Sequence, residues 1–397
     1  MKMLFVHDNK FIEYEKHFYT YGHYSYDLLW TRYLKYFDSI DVVGRVRHTD
    51  CEDDVKGFSI SDGDNVRIFG LPNLMSFKGL LHYFKARKMM KERMREVDAA
   101  VIRLPSSLGN LACKVARRLK KPYAVEIVGC AWDAFRYYGN TVSKLSAVYF
   151  TLAEKHSVKN APYAIYVSRH FLQNRYPNKH INIGCPDSNI LISPQEVLDN
   201  RIKKIDSSDV NSEFRMGLVA SLETAYKGHD TAIKALSVVK DKIPNVKLCF
   251  LGDGDSSKLA RIAEEYGVLD KVEFCGALPG GAPVLEWLDK IDLFLMPSRQ
   301  ETLGRALLEA MSRACPAIGS KETAIPEQLG DDCVHPKNDY NEMARLIVYM
   351  YENPEYMKLC AYENFYRSRK YSEEFLEDRR KNFWSSFVNF AKESSNG

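Results

Sequence analysis

The chain has 397 residues, enough for two domains, and 45% of them are hydrophobic, so each domain can bury a full core. With 27% charged residues and a net charge of +4 it reads as a soluble globular protein, without the basic excess that nucleic acid would call for. No apolar run reaches the roughly 18 residues of a membrane span; the opening "MKMLFVHDNK" reads as a first strand, not a signal peptide, and a cytoplasmic location is expected.

In chain order, short apolar runs alternate with stretches of helical period, which predicts parallel sheets covered by helices. "MLFVH" is the first strand. "HDNKFIEYEKHFYTYGHYSYDLL" follows as a long loop rich in Tyr and His, with Gly22 its flexible point. After a helix over "YSYDLLWTRYLKYF" and a strand at "DVVGRV", residues 77–97 ("FKGLLHYFKARKMMKERMREV") form a helix with seven Lys or Arg against two Glu. Interspersed apolar residues make an anionic membrane surface a candidate partner for it; a solvated face over a core stripe is the plainer reading. "AAVIRLP" and "YAVEIVG" are strands, and the loop after the second places Glu126, Trp132 and Asp133 near one edge. "YAIYVS" is a further strand.

The alternation breaks over residues 193–212, "SPQEVLDNRIKKIDSSDVNS", a polar stretch read as the interdomain linker. It separates residues 1–195 from 212–372, with a helical tail over 373–397. Two doubly wound domains would leave a cleft, and ligands in such sheets sit beyond the carboxyl ends of strands. The nine cysteines are odd in number and lack a CxxC pair, which predicts buried, reduced thiols.

Three strand-end loops in the second half can carry chemistry. In "LVASLETAYKGHDTAIKAL", Lys227 and Gly228 precede a helix, and a lysine there can reach a phosphate. In "LGDGDSSKL", Gly252 and Gly254 shape a tight turn, but the third glycine of a dinucleotide fingerprint is missing, which disfavours an oxidoreductase. In "SRQETLGRALLEAMSRACPAIGS", Glu301 lies in a loop and Glu309 inside the helix that starts near Gly304. Unpaired N–H groups and the positive end of the helix dipole suit a pyrophosphate, and carboxylates suit sugar hydroxyls. The plain alternative is an Arg305–Glu309 surface pair.

Together "ETLGRALLEAM", the preceding "MPS", the following "CPAIGS…IPE", "YKGHD" and "VEFCGAL" resemble the E-x7-E motif and its surroundings in retaining glycosyltransferases of family 4, strongly over residues 214–328. The first half, through "RLPSSLG", "KPYAVEIVGCAWDA" and "RYP", resembles bacterial surface-polysaccharide assembly members more loosely. The resemblance implies a GT-B fold: two Rossmann-like domains facing a cleft, residues 1–195 taking the acceptor and 212–372 the nucleotide-sugar donor, with the helix 373–397 crossing back to the first domain.

It further implies transfer of a hexose or N-acetylhexosamine from a nucleotide diphosphate sugar, a UDP-sugar favoured, to a saccharide or lipid-linked saccharide. No cofactor or metal is implied, nor nucleic acid, and the enzyme would be cytoplasmic or peripheral on the inner membrane face. Residue by residue, Glu301 matches the group at the donor sugar, Glu309 the one at the ribose, and Lys227 the pyrophosphate cation. Leu303, Gly304 and Arg305 match the phosphate and sugar contacts, and Cys275, Gly276, Ala277 and Leu278 the edge that holds the base. Gly22, Gly252 and Gly254 are further donor-side candidates.

Three departures stand out. Ala220-Ser221 replaces the family's Gly-Arg, so Ser221 holds a cation's place and Arg299 or Arg305 would have to supply the charge. Thr323-Ala324 replaces Gly-Gly. The histidine after the first domain's strand is absent, leaving Glu126 or Asp133 as catalytic candidates. A nucleotide-sugar epimerase of the same architecture and an inactive partner subunit are the alternatives.

Overall fold

The computed structural model describes residues 1–74, 79–138, 141–186, 190–209 and 211–396. The chain divides into two compact units, Met1–Cys185 with Arg379–Gly397, and Pro186–Asp378.

The N-terminal unit holds β1 (Lys2–Tyr14), β2 (His17–Thr20), β3 (Ser39–His48), β4 (Ser59–Ile60), β5 (Val66–Gly70), β6 (Ala99–Leu104), β7 (Tyr123–Ile127), β8 (Tyr163–Tyr166) and β9 (Ile181–Gly184). The parallel strands run in the order β5-β3-β1-β6-β7-β8-β9, and β2 and β4 extend an antiparallel edge from the far end of β1. All six residues of β6 are buried, as expected of a central parallel strand covered on both faces.

The loop expected after the first strand is a hairpin instead. β1 continues past an irregularity between Val6 and Lys10, pairing Phe11 and Ile12 with β3, and turns through Glu15 and Lys16, both with positive φ, into β2. Burial of Phe11 and Ile12 drives the extension, and two adjacent left-handed residues give the turn whose twist suits a hairpin. Polar and aromatic residues on the outer face hid this strand from the sequence pattern.

The C-terminal unit is a six-stranded parallel sheet of β10 (Phe214–Val219), β11 (Val246–Leu251), β12 (Val272–Phe274), β13 (Leu293–Met296), β14 (Ala317–Ser320) and β15 (Val334–His335). Its order is β12-β11-β10-β13-β14-β15, with the strand order reversing between β10 and β13. Loops that follow these strands therefore gather at one edge of the sheet.

The polar stretch expected to be a linker carries a helix, Gln195–Asp206, that belongs to this unit. Leu198, Arg201 and Ile205 are its buried face, and Arg201 donates to the carbonyls of Leu288 and Ile291. Three inward residues at helical spacing suffice for docking, while the outward face gives the stretch its polar composition.

The division between units falls inside the final helix, Glu373–Asn396. Beyond Arg379 it packs on the N-terminal unit, with the Trp384 ring 5.5 Å from Tyr33 and the Phe387 ring 5.4 Å from Tyr163. Both side chains are buried.

Candidate functional site

The site is built from strand ends of the C-terminal sheet. β13 delivers Pro297 and Ser298, and the chain then runs through Arg299, Gln300 and Glu301 to Gly304, where the helix Arg305–Ser312 begins. Gly304 sits at φ +67°, and a Cβ there would lie 2.8 Å from Gln328 Oε1. The glycine thus admits both the left-handed turn and the Gln328 side chain, whose Nε2 donates to the Leu303 carbonyl.

Lys227 comes from the loop after β10. Its Nζ donates to Glu301 Oε2 at 2.6 Å, and both side chains are mostly shielded. Gly228 makes this meeting possible: at φ +80° its Cα faces the Pro297 carbonyl, and a Cβ would lie 2.2 Å from that oxygen.

Arg299 holds the same loop from the other side. It donates to the Ala225 carbonyl, to Asp230 Oδ2 at 2.6 Å and to Asn338 Oδ1 at 2.6 Å, and its backbone N–H reaches the Tyr226 carbonyl at 2.7 Å. Arg299 is therefore a brace for the lysine loop, and the expectation that it replaces the missing phosphate cation gives way to that role.

Glu301 is held at its backbone as well. Its N–H donates to Thr323 Oγ1 at 2.7 Å, and its carbonyl accepts from the Ala324 N–H at 3.0 Å. Thr323 has φ +54°, a left-handed conformation that costs a β-branched residue on the order of 1–3 kcal/mol.

Glu309 lies on the next turn of the helix, partly exposed, with Oε1 accepting from Arg305 Nε at 3.0 Å. The surface pair anticipated as the plain alternative is thus present. It leaves Arg305 half exposed at the helix start, whose Gly304 has no side-chain cap.

The remaining donor-side candidates form the neighbouring loops. Ser221 Oγ makes a 3.4 Å contact with the Asp253 carbonyl. Gly252 packs so closely on Ala220 that a Cβ would lie 1.9 Å from its oxygen, and its N–H donates to the Gly276 carbonyl at 2.8 Å. Gly254 faces Glu223 at φ +106°. Cys275 is half-buried, whereas Gly276, Ala277 and Leu278 are exposed. No sequence signal marks His229, which is 2% exposed beneath this loop and 5.1 Å from the Phe250 ring. Burial lowers its pKa to about 4, against a partly offsetting hydrogen bond with the Ala220 backbone. Among the described residues no group of three or more His, Cys, Asp or Glu is placed to hold a metal ion.

The N-terminal candidates are different in kind. Glu126, on β7, is buried and has both oxygens engaged: Tyr33 OH donates to Oε1, and Arg103 Nε to Oε2 at 2.8 Å. The structure gives it a core role in place of the catalytic one expected. Asp133 is buried in the first turn of the helix Ala131–Tyr138, with Oδ2 unpaired among the described residues. Close by, Glu154 is fully buried and accepts from the Ala131 N–H at 3.1 Å; desolvation raises its pKa to about 8. Gly22 lies exposed at φ +83° after β2, on the N-terminal unit.

Of the basic segment 77–97, Phe77 and Lys78 lie outside the described residues. The helix Gly79–Arg95 buries Ala86, Met90 and Met94 and exposes Leu81 and Phe84 beside Lys85, Arg87, Lys88 and Lys91. No helix among the described residues is long and apolar enough to cross a membrane.

Residues 213–353 match the family described as Glycosyl transferases group 1. Protein CapJ of Staphylococcus aureus is 29% identical over 396 residues, 99% of this chain and 96% of that protein. The lipopolysaccharide core biosynthesis glycosyltransferase LpsE of Rhizobium meliloti is 32% identical over 124 residues, 30% of this chain and 34% of that protein. The crystal structure of Anabaena HepE in complex with UDP superposes with a TM-score of 0.64 at 15% identity, covering 97% of this chain and 100% of that one. The matched segment spans every donor-side loop described above. Residues 213–353 are thus similar to the glycosyl transferases group 1 family, and the chain as a whole has the two Rossmann-like domains of the GT-B fold.

Proposed function

We propose that the protein is a retaining glycosyltransferase that moves a hexose or N-acetylhexosamine from a nucleotide diphosphate sugar, a UDP-sugar by preference, to a saccharide acceptor. The acceptor we favour is lipid-linked, in the assembly of a cell-surface polysaccharide at the inner face of the membrane. The observation that carries the reading is the Lys227–Glu301 pair beside the start of the helix that bears Glu309. HepE has been crystallised with UDP and with UDP-glucose, and LpsE is named for lipopolysaccharide core biosynthesis; both support the donor and pathway class.

In this reading Lys227, the helix N–H groups near Leu303, Gly304 and Arg305, and the Arg305 side chain offset the charge of the departing diphosphate, so no divalent ion is required. Glu301 meets the donor sugar and Glu309 the ribose. A diphosphate competes with Glu301 for the Lys227 ammonium, so binding exchanges a carboxylate partner for a phosphate. The exposed apolar and basic residues of the helix Gly79–Arg95 suit a peripheral contact with anionic lipid.

The test is a calorimetric titration with UDP, GDP, ADP and CMP without metal. Selective binding of one nucleotide, weakened at least tenfold (about 1.4 kcal/mol) by Lys227→Ala and by Glu309→Ala, is expected. A specific observation favours a second reading, an inactive partner subunit: Ser221 stands where a cation is expected and Arg299 is occupied as a brace. A folded protein that binds none of the four nucleotides would establish that reading instead. An epimerase would consume the donor sugar without any acceptor.

A further inference from the structure

We propose that Thr323 is a positioning residue that sets Glu301 for the transfer, an inference that rests on the donor-site reading above. The β14 loop clamps the Glu301 peptide on both sides. Thr323 Oγ1 accepts its N–H at 2.7 Å, and the next residue, Ala324, donates its own N–H to the Glu301 carbonyl at 3.0 Å. The neighbouring Glu322 accepts from Lys337 Nζ at 3.0 Å, and the same ammonium lies 3.3 Å from the Arg299 carbonyl. Ser320 Oγ, at the end of β14, donates to the Ser298 carbonyl at 2.5 Å. The two loops are thus stitched together at the end of β13, at Arg299 and at Glu301.

Thr323 does this from a backbone that suits it poorly. Its φ of +54° is the region glycine occupies freely and a β-branched residue avoids. Chain geometry alone would be served better by glycine. What threonine adds is the hydroxyl, and that hydroxyl is bonded to the residue assigned to the donor sugar. With its main chain fixed at both ends and its carboxylate on Lys227, Glu301 has little freedom left. Local strain kept in exchange for the placement of a reacting group is a recurrent feature of catalytic sites.

The experiment compares Thr323→Ser, Thr323→Ala and Thr323→Gly in the full chain, with Glu301→Gln as reference. Three quantities are read: UDP affinity by calorimetry, the rate of UDP release from UDP-glucose, UDP-galactose and UDP-N-acetylglucosamine, and melting temperature. Serine keeps the acceptor oxygen and should run near the wild-type rate. Alanine and glycine should lose about tenfold to a hundredfold in kcat, with UDP affinity within about twofold because Lys227 and Glu309 are untouched. Glycine should melt no lower than wild type, since it relieves the strain.

Wild-type turnover by Thr323→Gly, or turnover by Thr323→Ser as slow as by Thr323→Ala, would overturn the proposal, because threonine would then serve chain geometry alone. The two readings fail separately. A slow Glu301→Gln beside a normal Thr323→Ala removes only the positioning role. If wild type and Glu301→Gln alike release no UDP from any of the three donors and wild type binds none of UDP, GDP, ADP and CMP, the donor-site reading falls, and the positioning role with it.

Discussion

The two units share one strand-order logic yet treat their acidic residues in opposite ways. In the C-terminal unit Arg305 and Glu309 stay partly open to solvent, and the more shielded Lys227–Glu301 pair lies where two strand-end loops meet. In the N-terminal unit Glu126 is enclosed between Arg103 and Tyr33, and Glu154 is sealed in the interior, where burial raises its pKa. A carboxylate can bind a hydroxyl only if its present partner can be displaced. A buried ion pair costs several kcal/mol to open, whereas an exposed pair exchanges at little cost.

The sharpest way to break this contrast is Glu126→Ala. It would leave the Arg103 guanidinium buried without its carboxylate, and a stability loss of about 3–5 kcal/mol is expected in denaturant unfolding. A variant of unchanged stability that had lost turnover would return Glu126 to the reacting groups.

Next in size is the pH dependence, which should differ in sign between the units. His229 has a folded pKa near 4 against 6.5 for the free group. The unfolded chain therefore binds the proton first, and stability falls as pH drops from 6.5 through 4, by about 2 kcal/mol at pH 5. Glu154 has a folded pKa near 8 against 4.5. The unfolded chain ionises first, so stability from this group falls as pH rises from 4.5 through 8. Melting curves across this range should lose their acid limb in His229→Gln and their alkaline limb in Glu154→Gln. Limbs that stay in both variants would show that other groups dominate.

The smallest effect is expected for Arg305→Ala. Half exposed and paired four residues along a helix, it should cost no more than about 0.5 kcal/mol of stability. A larger loss in thermal unfolding would mean that the pair props the helix start, and the contrast between open and enclosed pairs would narrow.

Much of the C-terminal site was legible because its signals are local. Strand, loop, glycine and helix follow one another within the fourteen residues from Met296 to Glu309, and apolar periodicity marks each boundary. The hairpin of β1 and β2 was not legible: its register depends on pairing with β3, some thirty residues on, and its outer face is polar. The helix Gln195–Asp206 reads as a linker in the sequence because only three of its residues face inward.

The sequence by itself determined the alternation of strands and helices, the two parallel sheets, and the loops carrying Lys227, Glu301 and Glu309. These follow from hydrophobic period and turn chemistry, which act between near neighbours. Only the tertiary structure decided which charges are free to act. It took Glu126 and Arg299 out of the candidate chemistry by supplying partners 23 and 69 residues distant, and it showed Thr323 bonded to the Glu301 amide across 22 residues. Hydrogen bonds and desolvation depend on what the fold brings within about 3 Å, and no local pattern encodes that distance.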